Sequence, residues 1–252
     1  MHTTRHRLHA GPVAEAKHPP QNRTSSGMTS GDAPAPTQPE CQITTEITSR
    51  GLIAILRAPT AEHFPAIADT LFDAGIHAIE ITLTTHGALR CIRELTAAYG
   101  REAVIGAGTV LTADQAQTCV DAGARFLVSP VAAPDVVRTA RAAGVAAYPG
   151  ALTPTEVHAA GRAGAPAVKL FPASAVSPRY VSDLSGPLPG IPLIPTGGIS
   201  LTDIPAWTAA GVAAVGLGTP LIGTAVREGV DDRLTARCRQ ALAAVSEGRA
   251  AR

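Results

Sequence analysis

Eight short apolar runs punctuate the chain: Leu52–Arg57, Ala78–Leu83, Val104–Val110, Phe126–Pro130, Ala146–Pro149, Ala167–Pro172, Pro192–Thr196 and Ala213–Leu217. Each has the length of a strand and is bounded by turn formers, so each predicts a buried β-strand. A glycine stands ahead of every run after the first, at Gly75, Gly100, Gly123, Gly144, Gly164, Gly190 and Gly211, with gaps of 20 to 26 residues. That gap accommodates one compact helix and one strand. Five of these glycines follow an alanine (Ala74, Ala122, Ala143, Ala163, Ala210), as at the left-handed position that ends a helix. Thr60, Thr112, Thr153 and Thr202, each followed by an early carboxylate, predict helix starts after four of the runs.

Strands alternating with helices imply a parallel sheet. Eight such units in about 200 residues fit an α/β fold of the closed (β/α)8, or TIM-barrel, kind. An open doubly wound sheet is the weaker alternative. The first run leads into Leu56-Arg57-Ala58-Pro59, without the Gly-x-Gly-x-x-Gly turn that such sheets use. Residues 1–40 are rich in Pro, Thr, Ser, Gly and His and poor in large apolar side chains. They predict a disordered tail, followed by a single barrel domain over 41–252. The tail has no apolar core of a secretory signal, and Met28 offers a second start.

A formal charge of +1 gives no electrostatic case for nucleic acid or an acidic membrane surface. No apolar run approaches the ~18 residues of a membrane span. Cys41, Cys91, Cys119 and Cys238 are widely and irregularly spaced. They read as unpaired thiols in a reducing cytoplasm, neither a disulfide frame nor a zinc site.

The sixth run carries the most distinctive chemistry. Alternation puts Ala167, Lys169 and Phe171 on one face and Val168 and Leu170 on the other. An unpaired ammonium in such a run is costly to bury and tends to give up its proton, and a neutral amine attacks carbonyls. The alternatives are a lysine that reaches out at a strand end, or one paired with a carboxylate.

In a barrel the chemistry gathers at the carboxyl ends of the strands. Arg57, ending the first run, suits a phosphate or carboxylate, or a salt bridge at the barrel mouth. In the second run Glu80, Thr82 and Thr84 share one face, opposite Ile79, Ile81 and Leu83. A glutamate so embedded is a general acid/base candidate or one half of an ion pair, with Lys169 as a candidate partner. Gly106-Ala107-Gly108-Thr109 offers either close backbone approach to a ligand or tight packing, with the Thr109 hydroxyl at the rim. Pro195-Thr196-Gly197-Gly198 and Gly216-Leu217-Gly218-Thr219 are glycine-rich turns after the last two strands, where barrels commonly bind phosphate.

Together these stretches resemble the 2-keto-3-deoxy-6-phosphogluconate / 4-hydroxy-2-oxoglutarate aldolase family, including its 6-phosphogalactonate branch. The resemblance runs from about Leu52 to Gly223. It is carried by Ala54-Ile55-Leu56-Arg57, Ile79-Glu80-Ile81, Gly106-Ala107-Gly108-Thr109-Val110, Lys169-Leu170-Phe171-Pro172, Pro195-Thr196-Gly197-Gly198 and Gly216-Leu217-Gly218. It implies a cytoplasmic, homotrimeric class I aldolase without cofactor or metal. Such an enzyme cleaves a phosphorylated 2-keto-3-deoxy acid to pyruvate and glyceraldehyde 3-phosphate, with 4-hydroxy-2-oxoglutarate as a second substrate. Lys169 then resembles the Schiff-base lysine and Glu80 the acid/base. Arg57, Thr84, Thr109, Phe171, Thr196, Gly197, Gly198, Gly218 and Thr219 become the substrate-binding candidates. Thr84 stands where phosphogluconate-type members often carry an arginine. Phosphogalactonate-type members also lack it, and they share an arginine like Arg57 and a Ser-x-x-Tyr-like stretch near Ser174 to Tyr180. From the residues alone, a phosphosugar isomerase or epimerase without an imine, or a non-catalytic phosphosugar-binding protein, stays open.

Overall fold

The computed structural model describes residues 37–252. Helix α1 (Gln38–Arg50) comes first, and then strands and helices alternate: β1 (Leu52–Leu56), α2 (Phe64–Asp73), β2 (Ala78–Thr82), α3 (Ala88–Tyr99), β3 (Val104–Gly108), α4 (Ala113–Asp121), β4 (Phe126–Val128), α5 (Pro134–Ala142) and β5 (Ala146–Tyr148). The second half continues with β6 (Gly150–Ala151), α6 (Pro154–Arg162), β7 (Val168–Leu170), α7 (Pro178–Ser185), β8 (Leu193–Pro195), α8 (Ile204–Ala209), β9 (Val215–Leu217), α9 (Thr219–Ile222), α10 (Ala225–Glu228) and α11 (Asp232–Ala250).

All the strand pairs are parallel. One sheet runs β5-β4-β3-β2-β1-β9 and the other β6-β7-β8. Two seams join them. On one side β5 passes into β6 across Pro149, whose carbonyl accepts from Lys169 N–H at 3.0 Å. On the other, Ala213 N–H donates to Leu193 O at 2.9 Å and Thr196 bridges to Gly216. The result is the expected (β/α)8 barrel, with its fifth strand broken in two at Pro149, which has no N–H for the ladder.

All seven of the recurring glycines adopt a positive φ, between 56° and 94°. Six of them stand at or just past the last residue of a helix, and Gly190 lies in the turn between α7 and β8; at each a side chain would be strained. Helix starts are mixed. Thr112 accepts from Gln115 N–H, and Thr153 forms a full capping box with Glu156. Thr60 does not cap: α2 begins four residues later behind His63, because Thr60 is taken up in a parallel bridge to His86. Thr202 yields its place to Asp203 ahead of α8.

Helix α1 corrects the expected boundary of the tail, because Gln38, Pro39 and Glu40 already belong to it. The expected disorder of residues 1–36 lies outside the described residues. The helix turns Ile43 and Ile47 into the barrel interior, where they join Ile53, Ala78, Val104, Phe126, Val128, Ala146, Tyr148, Ala167 and Ile194. Thr44 Oγ1 hydrogen-bonds the buried Tyr148 hydroxyl at 3.0 Å. Glu40, fully buried, lies 3.6 Å from Arg141 Nε. The amino end of the barrel is thus packed shut, and the open end is the one where the strands finish.

Candidate active site

Register decides which side chains point inward. Ile55 pairs with Glu80, Glu80 with Gly106, and Thr82 with Gly108. Lys169 pairs with Gly150 on one side and Ile194 on the other. The expected alternation holds: Ala167 lies in the interior cluster, while Val168 and Leu170 pack in the outer layer beneath the helices. Lys169 is 4% exposed and Glu80 2%. Around the circle of strands, β2 and β7 are four steps apart in either direction. Glu80 and Lys169 therefore face each other across a barrel whose width is only what side chains can fill.

Among the described residues, neither group is held in an ion pair. Glu80 Oε1 is buried without a hydrogen-bond partner among the described residues. Lys169 Nζ sits 4.9 Å from the centroid of the Phe171 ring, a cation–π distance. The ion pair between Lys169 and Glu80 considered from the sequence is not formed.

The two glycines of β3 serve these side chains. A Cβ on Gly106 would stand 2.4 Å from the Phe126 ring. One on Gly108 would stand 1.8 Å from Glu80 Oε1, so Gly108 creates the space in which the carboxylate sits. Gly216 does the same for Thr196, whose Oγ1 would be 2.4 Å from an added Cβ.

From Lys169 a cavity of about 320 Å³ opens towards the ends of β8 and β9. It brings together eight of the residues singled out from sequence: Arg57, Lys169, Phe171, Thr196, Gly197, Gly198, Gly218 and Thr219. Gly197 and Gly198 have φ of 90° and 80°, and neither N–H has a protein acceptor among the described residues. Such a turn presents donors to an anion. Ile55, Pro220, Ile222, Gly223 and Val226 complete the wall. Ile55 is on β1, and the others belong to α9, α10 and the turn between them; sequence reasoning did not single them out, because wall residues without a polar group carry no chemical signal.

Three candidates lie elsewhere. Glu80 stands on the facing wall and does not line this cavity. Thr109, with φ of 60°, accepts from Arg57 Nη2 at 3.2 Å and so reaches the cavity through that arginine. Thr84 is exposed in a separate depression beside His86 and Gly87, and its hydroxyl meets that of Thr82 at 3.1 Å. In the Ser-x-x-Tyr stretch, Tyr180 donates to Leu152 O at 2.8 Å and ties α7 to the loop after β6, while Ser174 packs under Gly198.

Among the described residues no second lysine stands near this cavity. The chain has two lysines, Lys17 and Lys169, so Lys169 is the only one among the described residues. Burial pushes the Cys91, Cys119 and Cys238 thiols up to about 11, 12 and 11. They stay protonated near neutral pH. No helix among the described residues is long and apolar enough to cross a membrane.

A barrel with one amine on its inner wall, a carboxyl group opposite and a cavity leading to glycine turns defines a Schiff-base-forming lyase. The family model for KDPG and KHG aldolase matches residues 43–236, and the chain belongs to that family. It is a class I aldolase, a carbon–carbon lyase. The 2-dehydro-3-deoxy-6-phosphogalactonate aldolase of Escherichia coli strain K12 is 39% identical over 171 residues, 68% of this chain and 83% of that protein. A solved native KDPGal structure is 36% identical, with a TM-score of 0.69 over 78% of this chain and 93% of its own. The KDPG aldolase of Legionella pneumophila, solved with pyruvate captured as a covalent carbinolamine, is 27% identical, with a TM-score of 0.71 over 82% of this chain and 98% of its own. Membership sets aside the isomerase and non-catalytic readings.

Proposed function

We propose that this aldolase cleaves a six-carbon 2-keto-3-deoxy-6-phosphosugar acid, of the gluconate or galactonate configuration, to pyruvate and glyceraldehyde 3-phosphate. The observation that carries the proposal is the continuity of one cavity from the buried Lys169 to the turns at Gly197-Gly198 and Gly218-Thr219. That span suits a substrate with its carbonyl at one end and its phosphate at the other.

Lys169 Nζ attacks the C2 carbonyl carbon, and loss of water leaves a protonated imine. Glu80, on the facing wall, accepts the C4 hydroxyl proton through a water. The C3–C4 bond breaks, its electron pair flows into the imine to give an enamine, and the aldehyde phosphate departs. Protonation at C3 and addition of one water return pyruvate and the free amine. The covalent intermediate divides one difficult step into easier ones. Arg57 and the two turns hold the phosphate end, Thr109 sets the arginine and contacts the pyruvyl half, and Phe171 and Thr196 wall the space around the imine. Remote binding thereby positions C4 for cleavage. Thr84, where phosphogluconate-type members often carry an arginine, sides with the galactonate branch by resemblance. For 4-hydroxy-2-oxoglutarate, the anion-binding end of the cavity would go unused.

The test is pyruvate release from each phosphorylated epimer and from 4-hydroxy-2-oxoglutarate. Turnover of a phosphorylated epimer with kcat/KM at least about 100-fold above the unphosphorylated acid is expected, on the scale of one well-placed anion site. Equal use of the two classes would overturn the assignment. Arg57→Ala is expected to raise KM for the phosphorylated substrate about 10- to 100-fold with kcat nearly unchanged, since its contacts are shared by ground and transition states.

A homotrimer in the cytoplasm completes the proposal. Leu111 and Val131 are 48% and 50% exposed, on the loops after the neighbouring strands β3 and β4. Exposed apolar side chains on two neighbouring loops suit a contact between subunits. The buried, unpaired Cys91, Cys119 and Cys238 suit a reducing compartment. Light scattering is expected to give three times the 25.6 kDa chain mass, and Leu111→Glu with Val131→Glu is expected to lower it. A monomeric wild-type protein would contradict this part.

A further inference from the structure

The loop that carries Arg57 is gripped from outside the cavity. Leu56 and Ala58 flank the arginine, and each is tied to a hydroxyl on the extension of β2. Ala58 N–H donates to Thr85 Oγ1 at 3.2 Å, and Thr82 Oγ1 donates to Leu56 O at 3.3 Å. Thr82 and Thr85 are 0% and 3% exposed, and their hydroxyls lie 3.4 Å apart. The amide at one end and the carbonyl at the other set the proton order. Thr85 accepts from Ala58 and donates to Thr82, which donates in turn to Leu56. Thr84 O–H adds a bond to Thr82 Oγ1 at 3.1 Å. Each hydroxyl has one proton and two acceptor sites, so the chain satisfies every member. The individual bonds are long and weak, but the backbone on both sides of one side chain is held at once.

The grip continues outward. His86 N–H donates to Pro59 O at 3.0 Å and Ala61 N–H to His86 O at 3.1 Å. The segment from Arg57 to Ala61 is thus laced along the segment from Thr82 to His86. Arg57 itself is exposed and lacks a carboxylate partner among the described residues. Its side chain has one hydrogen bond there, from Nη2 to Thr109 Oγ1. With so little holding the guanidinium, its aim depends on the backbone from which it springs.

We infer that Thr85, acting through Thr82, is a positioning residue for Arg57: the hydroxyl chain Ala58–Thr85–Thr82–Leu56 fixes the backbone on either side of the arginine and so aims the guanidinium at the phosphate of the substrate. The inference rests on the aldolase reading of the site and deepens it. Neither threonine touches the reacting atoms, and neither lines the cavity.

The test is Thr85→Val, which keeps the shape and removes the acceptor for Ala58 N–H. KM for the phosphorylated substrate is expected to rise about three- to tenfold, the scale of one net hydrogen bond, with kcat within about twofold. Borohydride trapping of pyruvate on Lys169 is expected to match the wild type, because pyruvate carries no phosphate. Thr85→Ser, which keeps the hydroxyl, is expected to restore KM. In an Arg57→Ala background, Thr85→Val is expected to have no further effect on KM, the signature of two residues acting as one unit. Three results would overturn the inference: unchanged KM, an equal loss of pyruvate trapping, or effects that simply multiply with Arg57→Ala. Failure of the wild-type protein to trap pyruvate or turn over the phosphorylated acid would instead refute the aldolase reading beneath it.

Discussion

Lys169→Ala is expected to reduce turnover on the order of 10⁵-fold, to background, while the barrel stays folded. The magnitude follows from the absence of a substitute. Lys17, the chain's other lysine, precedes the described barrel, and the buried thiols are held protonated. Without an imine, the electron pair of the breaking C3–C4 bond has no sink. The fold should tolerate the change. Lys169 makes no ion pair among the described residues, its neighbours Gly150 and Ile194 are paired through backbone, and the lost stem lines an open cavity. Stability is therefore expected within about 2 kcal/mol of the wild type by denaturant titration. Turnover well above background in a folded Lys169→Ala protein would refute the covalent mechanism.

The second large effect concerns the carboxyl group opposite. Glu80→Gln keeps the size and removes the proton acceptor. A fall in kcat of about 10²- to 10⁴-fold is expected, the range for losing a positioned acid/base. Pyruvate should still be trapped on Lys169, because the amine remains. Stability should stay within about 1 kcal/mol of the wild type, since the amide keeps the side chain's size and Glu80 Oε1 has no hydrogen-bond partner to lose among the described residues. Loss of activity without loss of stability would mark a residue kept for chemistry. A kcat within threefold of the wild type would remove Glu80 from the mechanism.

Much of this was legible along the chain, for identifiable reasons. The glycine beat was readable because a positive φ past a helix end has few solutions besides glycine; all seven positions have a positive φ, six of them at a helix end. The inward face of β7 was readable because the side-chain period of a strand is two. Helix α1 escaped notice because its apolar face shows little more than Ile43 and Ile47, its buried Glu40 is polar, and its start follows a Pro- and Thr-rich stretch. Thr60 looked like a helix cap because local chemistry allowed it, and a tertiary bridge to His86 claimed it. The purpose of Gly106 and Gly108 was undecided until the Phe126 ring and the Glu80 carboxylate were seen to occupy the missing Cβ positions. The hydroxyl chain behind Arg57 had no sequence signature. It exists only because the loop after β1 lies along the extension of β2, a long-range contact that no local pattern encodes.

The most direct test of the central claim is borohydride reduction in the presence of pyruvate, read by intact mass and peptide mapping. With one lysine in the described barrel, the assignment is nearly free of competitors. A single pyruvyl adduct on the peptide containing Lys169, absent from Lys169→Ala, is the expected result. A folded protein that carries no adduct, or carries it elsewhere, would contradict the Schiff-base account and the role given to Glu80 with it.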